Sequence, residues 1–314
     1  MYHAVMTEPP GVIAAQRPPF KVRLRDWLEL CRAPNAFTAV ADPLAGALVC
    51  GAGWRDTGRI IIVMLASAFF YAGGIVLNDW HDYKRDLRER PHRPLPSGRI
   101  ARFRALLAGS GLLILGQVLA SALETATGGV GLLLVAAILL YDVLLKEIPI
   151  APAIMGLCRA LNLVLGMTVA TGEGSSAPAA YLAVVMGLYV LGITVFARHE
   201  AGLARKDQLL LGAAFTAAAM AMLASVVPLF RERGPSPLGL IWLGLLAAAL
   251  GYRMARAILR PAPARIQAGV KLGVLGIILL DATLVGFFRG LGLSLLVAVL
   301  LVPAVWLGKW LYST

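Results

Sequence analysis

The chain has 314 residues, of which 59% are hydrophobic and only 15% charged, and its mean hydropathy is +0.78. Soluble domains carry about 25% charged residues, so this composition excludes a water-soluble enzyme and a disordered chain alike. The net charge of +12 then reads as the Lys and Arg bias of cytoplasmic loops in a membrane protein, not as a nucleic-acid footprint.

In chain order, residues 1–25 hold four prolines together with Arg17, Lys21, Arg23 and Arg25, and no apolar core precedes the arginines. They read as a cytoplasmic tail, not as a signal peptide. Residues 26–314 read as a single transmembrane domain. Apolar runs follow at 34–53, 58–79, 103–122, 127–145, 150–171, 177–197, 208–230, 236–256, 267–288 and 291–311. Each is near the length that crosses about 30 Å of hydrocarbon. Turn chemistry separates them, for example Pro94-Leu95-Pro96-Ser97-Gly98 and Gly234-Pro235-Ser236-Pro237. The predicted fold is all-α, a multi-pass bundle of nine to ten helices, with the last run either a tenth span or a surface helix. With the N-terminus inside, 23 of the 29 Lys and Arg residues fall on the cytoplasmic side, five fall outside, and Arg159 lies within a span. That split predicts cytoplasmic termini in the inner membrane and an even number of spans. Cys31, Cys50 and Cys158 lack paired spacing, so no disulfide framework or zinc site is expected.

The second run ends in Asn78, Asp79, Asp82 and Asp86. At about 100° per residue the three aspartates fall within about 60° of helical arc, and Asn78 lies about 40° beyond. Three carboxylates so close repel one another unless a cation sits among them. All-oxygen ligands suit Mg²⁺, which takes a few carboxylates plus substrate phosphate oxygens. Lys84, Arg85, Arg88, Arg90, Arg93 and Arg99 surround the cluster. Acidic ligands in a basic shell fit a metal–diphosphate partner better than a metal alone.

The run Asn-Asp-x-x-Asp-x-x-x-Asp, followed by Arg-Pro-x-Arg-Pro-Leu-Pro-Ser-Gly at 90–98, resembles the UbiA superfamily of intramembrane prenyltransferases. The resemblance implies a helical bundle with a central prenyl-binding cavity open toward the bilayer. It implies transfer of a prenyl chain from a prenyl diphosphate to a small-molecule acceptor, often aromatic, with Mg²⁺. Asp79, Asp82 and Asp86 would then be the catalytic metal ligands, and Asn78 would help hold the diphosphate, with Arg93 in the basic shell around it.

The family carries a second aspartate-rich stretch after span six. Here that stretch holds Arg198, Glu200 and Asp207, with a cation where the resemblance leads one to expect a metal-binding acid. Arg198 either neutralises diphosphate directly, or the site no longer ionises substrate. Glu200 is expected with Arg198 among the substrate-binding residues, although Glu200 and Asp207 also read as ordinary boundary charges. Tyr141 and Lys146 approximate a family pattern that contacts diphosphate, although a Lys at a span end also snorkels. Arg159 and Asn162 share a face of span five and are expected to bind substrate, since a charge within a span faces a cavity; Arg159 either grips diphosphate or pairs with an aspartate. The string Met-Gly-x-Cys-Arg-x-Leu-Asn at 155–162, with Ala-Arg-x-Glu after span six, is similar to the EboC-like branch. Asn35 is placed in the site by analogy with related enzymes. Asp42 is read as satisfying a neighbouring helix, and Asp281 receives no role. The leading expectation is a prenyltransferase. The alternative is a non-catalytic prenyl-lipid binding or export component of the same fold, and a secondary transporter fits less well because the polar residues gather at one face.

Overall fold

The computed structural model describes residues 23–145, 148–170, 178–198, 205–233 and 235–312. They form helices α1 (Leu24–Leu30), α2 (Ala33–Val49), α3 (Thr57–His81), α4 (Tyr83–Glu89), α5 (Arg102–Leu123), α6 (Thr125–Leu139), α7 (Ala151–Met167), α8 (Ala179–Ala197), α9 (Lys206–Ala224), α10 (Val226–Leu229), α11 (Gly239–Leu259), α12 (Pro263–Ala298) and α13 (Leu301–Tyr312). Among the described residues there is no strand, as an interior without water demands of a chain whose backbone groups must bond within themselves. Pro34, Pro152 and Pro263 stand in the first turns of α2, α7 and α12, where a missing N–H costs nothing.

Among the described residues, seven segments are long and apolar enough to cross a bilayer, and α7 is a shorter apolar helix. The long helices α2, α3, α5, α6, α7, α8, α9, α11 and α12 each pack on the next, and α12 returns to α2, closing a ring. Contacts of α2 with α7 and of α8 with α12 cross the middle. The α2–α7 crossing is close because glycines face backbone. A Cβ on Gly46 would land on the Leu163 carbonyl oxygen, and one on Gly166 on that of Pro43. Small residues at such crossings let helices approach where no hydrophobic effect drives them together. Leu107, Ile114, Leu132, Leu211 and Leu245 point outward from the ring, as lipid-facing side chains do.

The last apolar run is not one helix. Gly290, at φ 78°, bends α12, and a second break precedes α13. Arg289 lies beside Gly51 at the far end of α2, whereas Gly308 packs on Pro34 and Arg25 donates to the Leu311 carbonyl at 3.3 Å. The segment therefore runs along α2 in two pieces, from the Gly51 end back to the Pro34 end.

Candidate active site

The Asn78–Asp86 stretch is not one uninterrupted helix. α3 ends at His81, Asp82 bends with ψ near 1°, and α4 resumes. The hydrogen-bond ladder survives the bend: Asp82 N–H donates to Asn78 O and Asp86 N–H to Asp82 O, both at 2.9 Å. Asp79, Asp82 and Asp86 thus stay on one side and are all buried.

Each carboxylate has an arginine. Arg32 donates to Asp79 at 3.0 Å, Arg85 to Asp82 at 2.7 Å and Arg93 to Asp86 at 2.8 Å, with Arg93 also 3.5 Å from Asp79. Arg32 caps α2 in the left-handed region, at φ 47°, and is the one non-glycine residue with positive φ among those described. That conformation costs about 1–2 kcal/mol, and strain of this kind gathers at functional sites. Arg93 is placed by its loop. Leu95 and Ile100 anchor the loop in a buried cluster with Leu30, Val76 and Ala105, and Gly98 turns the chain at φ 77°. Arg99, grouped by sequence with the basic shell, instead clamps α1 through Asp26 at 2.7 Å and Glu29 at 2.7 and 3.0 Å. Cys31, in the turn between α1 and α2, is pushed up to about 11 by burial and by nearby Asp79, so it remains a thiol.

Among the described residues no three acids, histidines or cysteines converge on a point where they would hold a metal ion. The expected carboxylate triad is present and buried, and a guanidinium group takes one oxygen of each carboxylate. The donor set still fits Mg²⁺ in its chemistry. It offers hard oxygen ligands only, and Asp86 Oδ1 is buried with no donor among the described residues.

Next to this cluster a cavity of about 120 Å³ opens between α3, α6, α7 and the π-helical turn Leu140–Leu145. Phe70, Leu134, Ile138 and Met155 form apolar wall, while Asn78, Tyr141, Asp142, Arg159 and Asn162 supply the polar groups. A π turn re-aims side chains relative to an α-helix and is common at functional sites. Here it carries Tyr141 and Asp142 to the cavity.

The polar groups of α7 are tied to α2. Pro43 has no N–H, so the Ala39 carbonyl four residues earlier lacks its helical donor. Asn162 Nδ2 and Ser67 Oγ donate to it, both at 2.8 Å. Asn162 Nδ2 also donates to Asp42 Oδ2 at 2.7 Å. Arg159 donates to Asp42 Oδ2 and to Thr38 O, both at 3.0 Å, and to Thr38 Oγ1 at 2.9 Å. Of the two readings of Arg159, the structure shows the aspartate pair, held on the cavity wall. Asp42 does satisfy a neighbouring helix.

The structure therefore brings Asn78, Tyr141, Arg159 and Asn162 to one cavity, beside Asp79, Asp82, Asp86 and Arg93. Asn35 sits half-buried one turn after Arg32 and does not line that cavity. Arg198 ends α8 and donates to the carbonyls of Ile148 at 2.6 Å and Pro149 at 3.4 Å, securing the approach to α7. Asp207 pairs with Arg205 on the exposed surface at 2.7 Å, an ordinary boundary charge. Lys146 and Glu200 lie outside the described residues. Sequence reasoning passed over Tyr71, Ser67 and Phe70 on the cavity wall and gave Arg32 no part. Counting back from Asn78 by three, four, seven, eight and eleven reaches Ile75, Gly74, Tyr71, Phe70 and Ser67, so helical spacing held that signal.

The profile of the UbiA prenyltransferase family matches residues 40–275. A digeranylgeranylglyceryl phosphate synthase of Methanothrix thermoacetophila is 31% identical over 167 residues, which are 52% of this chain and 61% of that protein. One of Ignicoccus hospitalis is 34% identical over 125 residues, 40% of each chain. This chain thus spans 61% and 40% of the length of these two relatives. Among solved structures, the apo UbiA homolog from Aeropyrum pernix K1 superposes with TM-score 0.65 at 20% identity, over 79% of this chain and 96% of that one. The UbiA homolog from Archaeoglobus fulgidus bound to GPP and Mg²⁺ gives 0.60 at 15% identity, over 82% and 99%. At those identities the likeness is one of fold. With a ring of helices, an arginine-capped aspartate cluster over an apolar cavity, and a profile match over most of its length, the chain belongs to the UbiA prenyltransferase family.

Proposed function

We propose that the protein transfers a prenyl chain from a prenyl diphosphate to a hydroxyl acceptor, with Mg²⁺ held by Asp79, Asp82 and Asp86. The observation that carries this is the buried carboxylate cluster, counter-charged by Arg32 and Arg93, at the end of an apolar cavity. When bound, Mg²⁺ neutralises charge on the departing diphosphate. Arg32 and Arg93 leave their carboxylates and take phosphate oxygens, a match for which the guanidinium fork is suited. Asn78 and Tyr141 orient the head group, and Phe70, Leu134 and Ile138 receive the start of the tail. The allylic C–O bond breaks with its electron pair going to diphosphate, the acceptor oxygen bonds to the carbon, and its proton passes to water. Charge stabilisation on the leaving group is where such a site lowers the barrier.

The named relatives support a glycerophosphate-type acceptor in place of an aromatic one. The distribution of Lys and Arg supports a site on the cytoplasmic face, with residues 26–314 acting as one unit. The experiment is reconstitution with geranyl or geranylgeranyl diphosphate and Mg²⁺, offering prenylglycerol phosphates and phenols as acceptors. Product mass and released diphosphate are read together. Glycerophosphate products support the reading, and phenolic products would replace its acceptor. Tight binding of prenyl diphosphate with no diphosphate release would favour a non-catalytic lipid carrier, which the surface pairing of Asp207 also suits.

A further inference from the structure

The centre of the bundle holds a second acid that the site above does not use. Asp281, in the middle of α12, is fully buried, and so is Asp42 of α2. The two carboxyl groups lie within hydrogen-bonding reach of each other. Asp42 Oδ2 takes Arg159 and Asn162. Asp42 Oδ1 and both oxygens of Asp281 have no donor among the described residues.

Two facts bear on these oxygens. Ionised carboxylates only accept hydrogen bonds, so two of them in contact leave every facing lone pair unmatched. The charge is unbalanced as well. Arg159 is the cation beside the pair. α8 brings Tyr189 to α12, and its hydroxyl is already spent on the Gly273 carbonyl at 2.9 Å. Two buried anions facing one guanidinium would leave a net negative charge without solvent, which is costly in an apolar interior.

We propose that Asp42 and Asp281 share one proton, and that Asp281, as the donor to Asp42 Oδ1, is a positioning residue that fixes Arg159 and Asn162 on the cavity wall. The shared proton leaves one anion against one guanidinium. Asp42 is then gripped from both sides, by Arg159 and Asn162 on Oδ2 and by the Asp281 hydroxyl on Oδ1. Arg159 lines the cavity with its side chain 15% exposed, and takes its direction from Asp42 together with Thr38. The positioning role rests on the prenyl-transfer reading, whereas the shared proton does not.

The test has two readouts. Infrared spectroscopy of the purified protein, in an ester-free detergent, reads the C=O stretch of a protonated carboxylic acid. The band should be present in the parent, shift in deuterated water and vanish in Asp281→Asn. It should survive in Asp207→Asn, which alters only an exposed pair. A parent spectrum without the band, or a band untouched by Asp281→Asn, overturns the shared proton, whether or not the protein turns over. Steady-state kinetics with geranylgeranyl diphosphate reads the second role. Asp281→Asn keeps a donor toward Asp42 and should stay within about twofold of the parent KM. Asp281→Leu keeps bulk but has no donor, and should raise KM about tenfold with a smaller change in kcat. Equal KM for the parent and Asp281→Leu, or loss in Asp281→Asn as large as in Asp281→Leu, overturns the positioning role. If Asp281→Leu does not fold, Asp281→Ala, which also lacks a donor, takes its place in both comparisons. A parent with no turnover refutes the prenyl-transfer reading and takes the positioning role with it, while the infrared result stands separately.

Discussion

Arg93 ties Asp86 to Asp79, and removing it should move two affinities in opposite directions. Asp86 is 1% exposed, its Oδ2 accepts from Arg93 at 2.8 Å, and its Oδ1 has no donor among the described residues. Breaking a buried ion pair by deleting one partner costs about 3–5 kcal/mol. Arg93 itself is 21% exposed, so water offsets part of that, and about 2–3 kcal/mol is expected for Arg93→Ala. Mg²⁺ alone should then bind more tightly than in the parent, because no guanidinium has to be displaced. A gain of about tenfold corresponds to about 1.4 kcal/mol, a modest share of the pair. Prenyl diphosphate with Mg²⁺ should bind more weakly, since a charge-assisted hydrogen bond worth about 1.5–3 kcal/mol is lost to the phosphate. The assay is thermal unfolding in detergent with Mg²⁺ alone and with Mg²⁺ plus geranylgeranyl diphosphate, since a ligand of the folded state raises the midpoint by mass action. An unchanged midpoint without ligand, or equal Mg²⁺ responses in parent and variant, would refute the placement of Arg93 as the resident counter-ion of the cluster.

Three further outcomes are expected. Asp79→Ala or Asp82→Ala should abolish prenyl transfer while the protein still unfolds cooperatively, because the partner guanidinium groups of Arg32 and Arg85 are about a third exposed and rehydrate; full diphosphate release by both variants would remove the carboxylates from the chemistry. Gly166→Ala should destabilise by roughly 1–3 kcal/mol or more, because the added methyl meets the Pro43 backbone and forces α2 from α7; it should also raise KM for prenyl diphosphate, and an unchanged unfolding midpoint would contradict the close crossing. A reporter fused after Thr314 should give a cytoplasmic signal, as ten crossings with an inside N-terminus require, and an external signal would overturn that orientation.

Much of the fold was legible without coordinates because hydrophobic length is a local property. Each of the ten apolar runs has a counterpart among the helices, and the breaks carry the glycines and prolines that stop them. The Asp79, Asp82 and Asp86 cluster was equally legible, since residues three and four apart share a helix face whatever surrounds the helix. The bend at Asp82 left that arrangement standing because the backbone ladder passes through it. The same spacing rule would have found Ser67, Phe70 and Tyr71.

The tertiary structure decided which charges meet. Arg32 reaches Asp79 across 47 residues, and Arg159 reaches Asp42 across 117. Nothing in the periodicity of either segment selects those partners over the many other arginines nearby in sequence. Arg99 shows the reverse case: it stands among the basic residues after α4 yet turns to α1, because Asp26 and Glu29 are delivered there. Asp281 received no role from its place in the sequence and meets Asp42 only because α12 closes the ring against α2. Helical periodicity fixes the face a side chain takes on its own helix, but a partner is chosen by which helices approach closely enough, and glycines such as Gly46 and Gly166 set that approach through contacts between elements more than a hundred residues apart.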